Sequence, residues 1–472
     1  MNPGTIQEFG PAQTGPHRDD AVATIGPAPY PRVPSTIEET GLTVEAVIDL
    51  VLKLLYTQGV RTGQEMIDYI RLPFAVVDPI LMDLQQRLML EVKGTSGHGR
   101  GGYSFSITPL GRERAREALE TSRYVGPAPV PLELYAEWMD LQSVRHTRIT
   151  RDIILSGFAD LILNREIFEA LGPPINSARS LFLYGAPGNG KTAIAERIAG
   201  MTGGGIFVPY AIDVDGQTVV LFDPVYHEPI QWTGGGSSSD PLIKDMSGGF
   251  DPRFEFVGRP TVFVGGELTL EQLDLQYDPV TKLYKAPFQL KAAGGVLILD
   301  DFGRQRVEPA ELLNRWVVPL EKGIDFLTLH TGVKFPVPFD TRLMFATNLD
   351  PSDLVEEAFL RRIHYKIRVG NPSREGYADI TRAVCEARGI PYVPQAVDHI
   401  YEKYYEGLGI EPRACHPRDI IDHIEDIARY QGVEAQLTHD LLNRSCDTYF
   451  LVMESEALTK AQARYATGGK KE

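Results

Sequence analysis

Eight consecutive residues, Gly185-Ala186-Pro187-Gly188-Asn189-Gly190-Lys191-Thr192, fit the pattern G-x-x-x-x-G-K-[ST] without a mismatch. Glycines at these spacings let the backbone wrap a polyphosphate, with N–H groups and a helix start facing the anion. Lys191 would reach the β- and γ-phosphates, and the Thr192 hydroxyl would ligate Mg²⁺. The chemistry needs a strand before the loop and a helix after it. Ser180-Leu181-Phe182-Leu183-Tyr184 reads as the buried strand, and Ala193-Ile194-Ala195-Glu196-Arg197 as the helix. A nucleotide is the expected ligand.

Gly294-Gly295-Val296-Leu297-Ile298-Leu299-Asp300-Asp301 follows, with Asp300 standing 109 residues after Lys191. Four apolar residues ending in two carboxylates are the pattern of a central parallel strand whose C-terminal end enters an active site. Asp300 would serve the Mg²⁺ site and Asp301 would polarise the attacking water. A further strand, Arg342-Leu343-Met344-Phe345-Ala346-Thr347, ends at Asn348, an amide placed to orient water or touch the γ-phosphate. Ala358-Phe359-Leu360-Arg361-Arg362-Ile363 sets two guanidiniums in what reads as an apolar helix. Arg suits the neutralisation of a phosphoryl group in transfer. His416-Pro417-Arg418-Asp419-Ile420 opens an amphipathic helix with Ile420, Ile421, Ile424 and Ile427 on one stripe, which puts Arg418 at a helix start.

In this order the motifs resemble those of the AAA+ ATPase superfamily over roughly residues 145–460. The P-loop, acidic strand end, Ala-Thr-Asn, Phe-Leu-Arg-Arg and Pro-Arg-Asp are similar to Walker A, Walker B, sensor 1, arginine finger and sensor 2. The resemblance implies that residues 185–192 hold ATP and that Thr192 and Asp300 belong to the Mg²⁺ site. It makes Asn348 sensor 1, sends Arg361 or Arg362 to the neighbouring subunit's ATP, and has Arg418 read the γ-phosphate from a lid. The segment 328–339, with Gly332 and two prolines, looks like the hairpin that precedes sensor 1 in MoxR-like and related branches. Most members carry Glu where this chain has Asp301, a side chain one methylene shorter whose carboxylate sits farther from the water unless the strand adjusts, so hydrolysis is expected and its rate is left open. The sigma-54 activator subtype is disfavoured, because no Gly-Ala-Phe-Thr-Gly-Ala loop occurs.

The elements around these motifs come from punctuation. Residues 1–40 and 461–472 read as disordered tails, the first rich in Pro and Gly. The string Gly26-Pro27-Ala28-Pro29-Tyr30-Pro31 recurs as Gly126-Pro127-Ala128-Pro129-Val130-Pro131 and suggests two extended spacers bracketing a small domain, 41–121, with a linker over 122–144. Within that domain, helices are predicted over 43–58, 63–72 and 78–90, Pro79 suiting a first turn. A hairpin over 91–107 with a glycine-rich loop and a helix from Thr108-Pro109 complete a set that looks like a winged helix-turn-helix. Residues 43–120 hold nine Lys/Arg against ten Asp/Glu, and the would-be recognition helix sets Asp78 and Asp83 against Arg87. That charge pattern puts protein docking ahead of DNA contact.

The expected core domain is 145–370, an α/β P-loop NTPase with a parallel sheet and an insert over about 201–293, followed by an α-helical lid over 371–460. In the insert, Asp215-Gly216 signals a hairpin. Thr233-Gly234-Gly235-Gly236-Ser237-Ser238-Ser239 reads as a loop. Tyr284 and Phe288 read as packing aromatics or as pore contacts, packing being favoured. His227, His330 and His364 show no metal-ligand spacing. Three scattered cysteines, Cys385, Cys415 and Cys446, suggest a reducing compartment, and a net charge of −16 argues against a coat for nucleic acid. No apolar run approaches the ~20 residues of a membrane helix. The reading that follows is a cytoplasmic AAA+ ATPase, a homo-oligomer and by resemblance a hexamer, that uses ATP to remodel an unidentified protein partner. The alternative is a nucleotide-controlled DNA-binding regulator or loader in which hydrolysis is slow or incidental.

Overall fold

The computed structural model describes residues 29–95, 99–177, 179–232, 249–354 and 360–450. The expected tail 461–472, most of the first tail, the Gly-Ser loop, His98 of the glycine-rich loop and Phe359 lie outside the described residues. The chain divides into two compact units, each built from three stretches. The first holds Met1–Ile153, Ala199–Ile298 and Leu312–Leu343; the second holds Ile154–Ile198, Leu299–Glu311 and Met344–Glu472.

In the first unit, helices Val44–Gln58, Gly63–Ile70 and Phe74–Gln86 precede an antiparallel pair, Leu90–Thr95 with Tyr103–Ile107. Arg61–Thr62 adds a third strand to that pair, and helix Pro109–Thr121 closes the set. Thr43, Thr62 and Thr108 cap their helices with side-chain oxygens, and Thr62 forms a reciprocal box with Glu65. Val47, Val51, Leu54, Ile67, Val77, Leu81 and Leu84 share one core. The third helix starts four residues before the predicted 78–90, so Pro79 lies inside it and Pro73 takes the N-cap. The apolar stripe Val76, Val77, Ile80, Leu81 and Leu84 sets its register and overrides the proline signal.

The second expected spacer, 126–131, is packed. Val130–Pro131 runs parallel to Ile212 and Asp213 as the edge of a five-stranded sheet otherwise made from the insert. Ala128 donates its N–H to Ile70 O at 2.7 Å, and Ala128 and Val130 are fully buried. Helix Leu132–Leu141 follows directly, so the predicted linker 122–144 is largely structured. Residues 29–40, expected in the first tail, are ordered by contact as well. Asp251 N–H meets Pro31 O at 2.8 Å, and Thr36 caps the short helix Ile37–Thr40. Arg253, 1% exposed, pairs with Asp251 and donates to Thr40 O at 2.8 Å. The Arg71 guanidinium lies 4.5 Å over the Tyr210 ring and 3.6 Å from the Glu255 carboxylate. Insert and N-terminal region therefore share one interior.

The insert hairpin Ala211–Val214 with Gln217–Val220 turns through Asp215 and Gly216 at φ 52° and 75°. Two left-handed residues give the turn whose twist matches the strands, as Asp-Gly predicts. Tyr284 is buried, its hydroxyl bonded to His330, which removes the pore-contact reading; Phe288 is half-buried with its edge against Tyr226. The hairpin expected over 328–339 forms between Ile324–Thr328 and Lys334–Pro338. Strands Thr261–Val264, Val296–Leu299 and Arg342–Thr347 are consecutive neighbours, joined in this unit by Val296 N–H to Pro260 O and Arg342 N–H to Gly295 O.

In the second unit, Leu181–Tyr184 lies between Arg342–Thr347 and Tyr365–Arg368, parallel to both, with Met344 and Tyr365 each opposite Leu181. Phe182 and Phe345 stack at 5.4 Å, and Phe302 meets both edge-on. Helix Lys191–Gly200 leaves the P-loop. Helices Arg374–Arg388, Pro394–Ile400 and His416–Gln431 enclose a C-terminal core of Tyr377, Tyr401, Tyr405, Ile420, Ile424, Cys446 and Phe450. The class is α/β, a parallel sheet with helices and a helical C-terminal bundle. Among the described residues no helix is long and apolar enough to cross a membrane.

Candidate nucleotide site

Every side chain of the site described here lies in the second unit. The buried strand Leu181–Tyr184 delivers the chain to the loop, and its neighbour Arg342–Thr347 delivers Asn348. Asp300 and Asp301 follow the fully apolar strand Val296–Leu299. Strand ends thus bring together residues separated by more than a hundred positions.

Gly185 has φ 139°, and a Cβ there would stand 2.3 Å from Val369 O, so only glycine lets the loop pass so close to that strand end. Gly188, at φ 80°, approaches the helical bundle: a Cβ would lie 2.5 Å from Cys415 Sγ, and Cys415 N–H donates to Gly188 O at 2.9 Å. Asn189 ties the same two parts through its amide. Its Nδ2 donates to Asn371 Oδ1 at 2.7 Å, and its Oδ1 accepts from Ala414 N–H at 3.2 Å.

Lys191 is 6% exposed, and its ammonium donates to Gly185 O, Ala186 O and Asn348 Oδ1 at 3.0, 2.9 and 2.6 Å. Burial pushes its pKa below the ordinary lysine value, against the pull of Asp300 and Asp301. Thr192 donates its hydroxyl to Asp300 Oδ2 at 2.9 Å. Asn348 Nδ2 donates to Asp301 Oδ1 at 3.2 Å, so one amide spans the P-loop lysine and the second carboxylate. Thr192 and Asp300 offer hard oxygen donors side by side, the set that suits Mg²⁺. Among the described residues no group of three or more His, Cys, Asp or Glu forms a metal site on its own. Mg²⁺ at phosphate sites takes few protein ligands, so the pair fits it.

The other predicted arginines fall differently. Arg361 and Arg362 sit in a turn, one exposed and one half-buried, just before strand Tyr365–Arg368; only Leu360 of the described part of that segment is helical. Arg418 is exposed and lies 3.6 Å from its own neighbour Asp419. The guanidinium stem at the P-loop belongs to Arg413, whose Cδ is 3.7 Å from the Gly188 Cβ position and whose charge opposes protonation of Lys191. Its Nε is buried and has no hydrogen-bond partner among the described residues. Sequence reasoning missed Arg413, Cys415 and Asn371, which stand in irregular segments with no periodic or motif signal.

A family model with the description "Domain of unknown function (DUF8689)" matches residues 373–448, the helical bundle that carries Arg413 and Cys415. No curated protein matches the chain. Solved structures similar to it include NtrX from Brucella abortus in complex with ADP, at TM-score 0.37 and 17% identity, covering 71% of this chain and 66% of that one. This chain thus spans just under two thirds of that NtrX chain's length. The ATP complex of the same protein gives TM-score 0.36 and 16% identity over 75% and 69% of the two chains. A RuvB mutant from Thermotoga maritima gives 0.34 and 11% over 65% and 72%.

Proposed function

We propose that this chain is an AAA+ ATPase that binds ATP with Mg²⁺ and hydrolyses it to remodel a protein partner as a ring-like homo-oligomer. One observation carries the reading: Lys191, Thr192, Asp300, Asp301 and Asn348 form a single hydrogen-bonded set at the strand ends beside a P-loop, joined by Asp301 N–H to Asp300 Oδ1 at 3.0 Å. On this reading the loop amides and the start of helix Lys191–Gly200 receive the phosphates. Lys191 exchanges its own loop carbonyls for β- and γ-oxygens. Thr192 and Asp300 would hold Mg²⁺, which would supply positive charge to offset that of the phosphates. Asp301 takes the proton of the attacking water, and Asn348 fixes that carboxylate. Arg413, with its stem already at Gly188, is the lid group that meets phosphate, in place of Arg418. Arg361 or Arg362 would serve the neighbouring subunit.

We read the N-terminal three helices and hairpin as a winged helix. Arg100 is paired with Asp78 at 2.5 Å and Arg87 with Asp83 at 2.9 Å, which supports docking of a protein over contact with DNA phosphates. The test is ATP-induced stabilisation together with phosphate release. Wild-type protein should gain roughly 2.7 kcal/mol at 100 times the dissociation constant. Lys191→Ala should lose that gain and the turnover. An equal melting shift in both proteins would overturn the assignment.

A further inference from the structure

The turn that carries Asp301 is closed by a residue outside every motif. Asp301 has φ 48°, a left-handed conformation that residues other than glycine adopt infrequently. Something must hold it there. Phe302 anchors one side, fully buried, with its N–H on Ala346 O at 2.8 Å. On the other side the half-buried Gln305 folds back with both ends of its amide engaged. Nε2 donates to Asp300 O at 3.0 Å, and Oε1 accepts from Gly303 N–H at 2.8 Å. Arg304 N–H adds a bond to Asp301 O at 2.9 Å, inside the loop that Gln305 closes. The backbone on both sides of Asp301 is thereby fixed, while Asn348 holds the carboxylate itself.

We propose that Gln305 is a positioning residue for hydrolysis: by bridging Asp300 O and Gly303 N–H it keeps Asp301 in the left-handed turn that aims its carboxylate at the attacking water. This inference rests on the ATPase reading. Released from the clamp, Asp301 would relax to an ordinary backbone conformation and its carboxylate would swing off line. Small misplacements of a general base are costly to rate and leave ground-state binding alone. Gln305 makes none of the described contacts to residues 185–192, so nucleotide affinity should not depend on it.

The test is steady-state ATP hydrolysis and ATP-induced melting in Gln305→Ala and Gln305→Asn, the second keeping an amide too short to span the turn. Both should lower kcat at least tenfold with KM for ATP and the ATP-induced melting shift within about twofold of wild type, a split that loss of fold would not give. In an Asp301→Asn background, Gln305→Ala should change the residual rate no further, because the group it positions is gone. Wild-type kcat in the Gln305 variants would overturn the proposal. So would equal fold-losses in both backgrounds, or a lowered melting temperature without nucleotide, which would make Gln305 merely structural. ATP binding without turnover in the wild-type chain would overturn the hydrolytic reading, and with it the role given to Gln305.

Discussion

Replacing Gly188 by alanine tests the join between the P-loop and the helical bundle. Two costs can be worked out. At φ 80° an alanine sits in the left-handed region, at about 1–2 kcal/mol. Its Cβ would also stand 2.5 Å from Cys415 Sγ, an overpacking of about 1–3 kcal/mol. Gly188→Ala should therefore lower unfolding free energy by about 2–5 kcal/mol. The second cost depends on the sulfur, so Gly188→Ala/Cys415→Ala should be less destabilised than the two single costs predict, by most of the overpacking term. The assay is denaturant unfolding of the four proteins of the cycle. Strict additivity would mean that the bundle does not rest on Gly188 in solution, and that the contact through Cys415 N–H and Gly188 O is not maintained.

Asp301→Asn should keep ATP affinity and lose most turnover, whereas Asp300→Asn should weaken Mg²⁺ dependence and binding together; titration and phosphate release separate them. His416 is fully buried, with Nδ1 facing the Tyr405 hydroxyl at 2.8 Å, and burial together with Arg413 lowers its pKa to about 4. A base whose folded pKa is depressed contributes stability above its unfolded value near 6.5 and loses it as pH falls towards 4. The loss should reach about 3 kcal/mol, with melting against pH flattened in His416→Gln. Arg253→Ala should cost about 3–5 kcal/mol, because it strands Asp251 at 2% exposure, and Arg253→Met/Asp251→Asn should recover much of it. Urea unfolding checks both.

The candidate site was legible because its parts are local. A loop of eight residues, a strand ending in two acids and a strand ending at Asn348 each announce themselves within a few positions. Parallel strands of one sheet then bring their ends together, so Lys191 and Asn348 meet although 157 positions apart. Arg413 was hidden because its place depends on how an irregular segment crosses Gly188, a long-range contact with no period. Arg418 had the motif, but its helix turns it outward. The segment 126–131 misled for a related reason. Its composition is that of a spacer, yet Ala128 is buried in the core that holds Ile70, and Val130 in the one that holds Phe207, Phe254 and Phe256. Composition carries no information about such a partner. The early start of the third helix shows the converse, where a core stripe outweighs a local proline rule.

The short strand Val130–Pro131 has a practical consequence for anyone dissecting this chain. It is the outermost strand of the insert's sheet, and it arrives from the N-terminal side of the sequence. A fragment beginning after residue 131 would keep every nucleotide motif and still lose that strand. Ile212 and Asp213 would then present bare backbone donors and acceptors, beside the apolar Ala211, which the lost helices had covered. A stripped sheet margin of this kind recruits strands from other molecules. Such a fragment should therefore self-associate through β-pairing for reasons unrelated to ATP, and its oligomers would be easily mistaken for assembled rings. The smallest dependable piece begins ahead of Tyr30, whose following residue, Pro31, is held by Asp251.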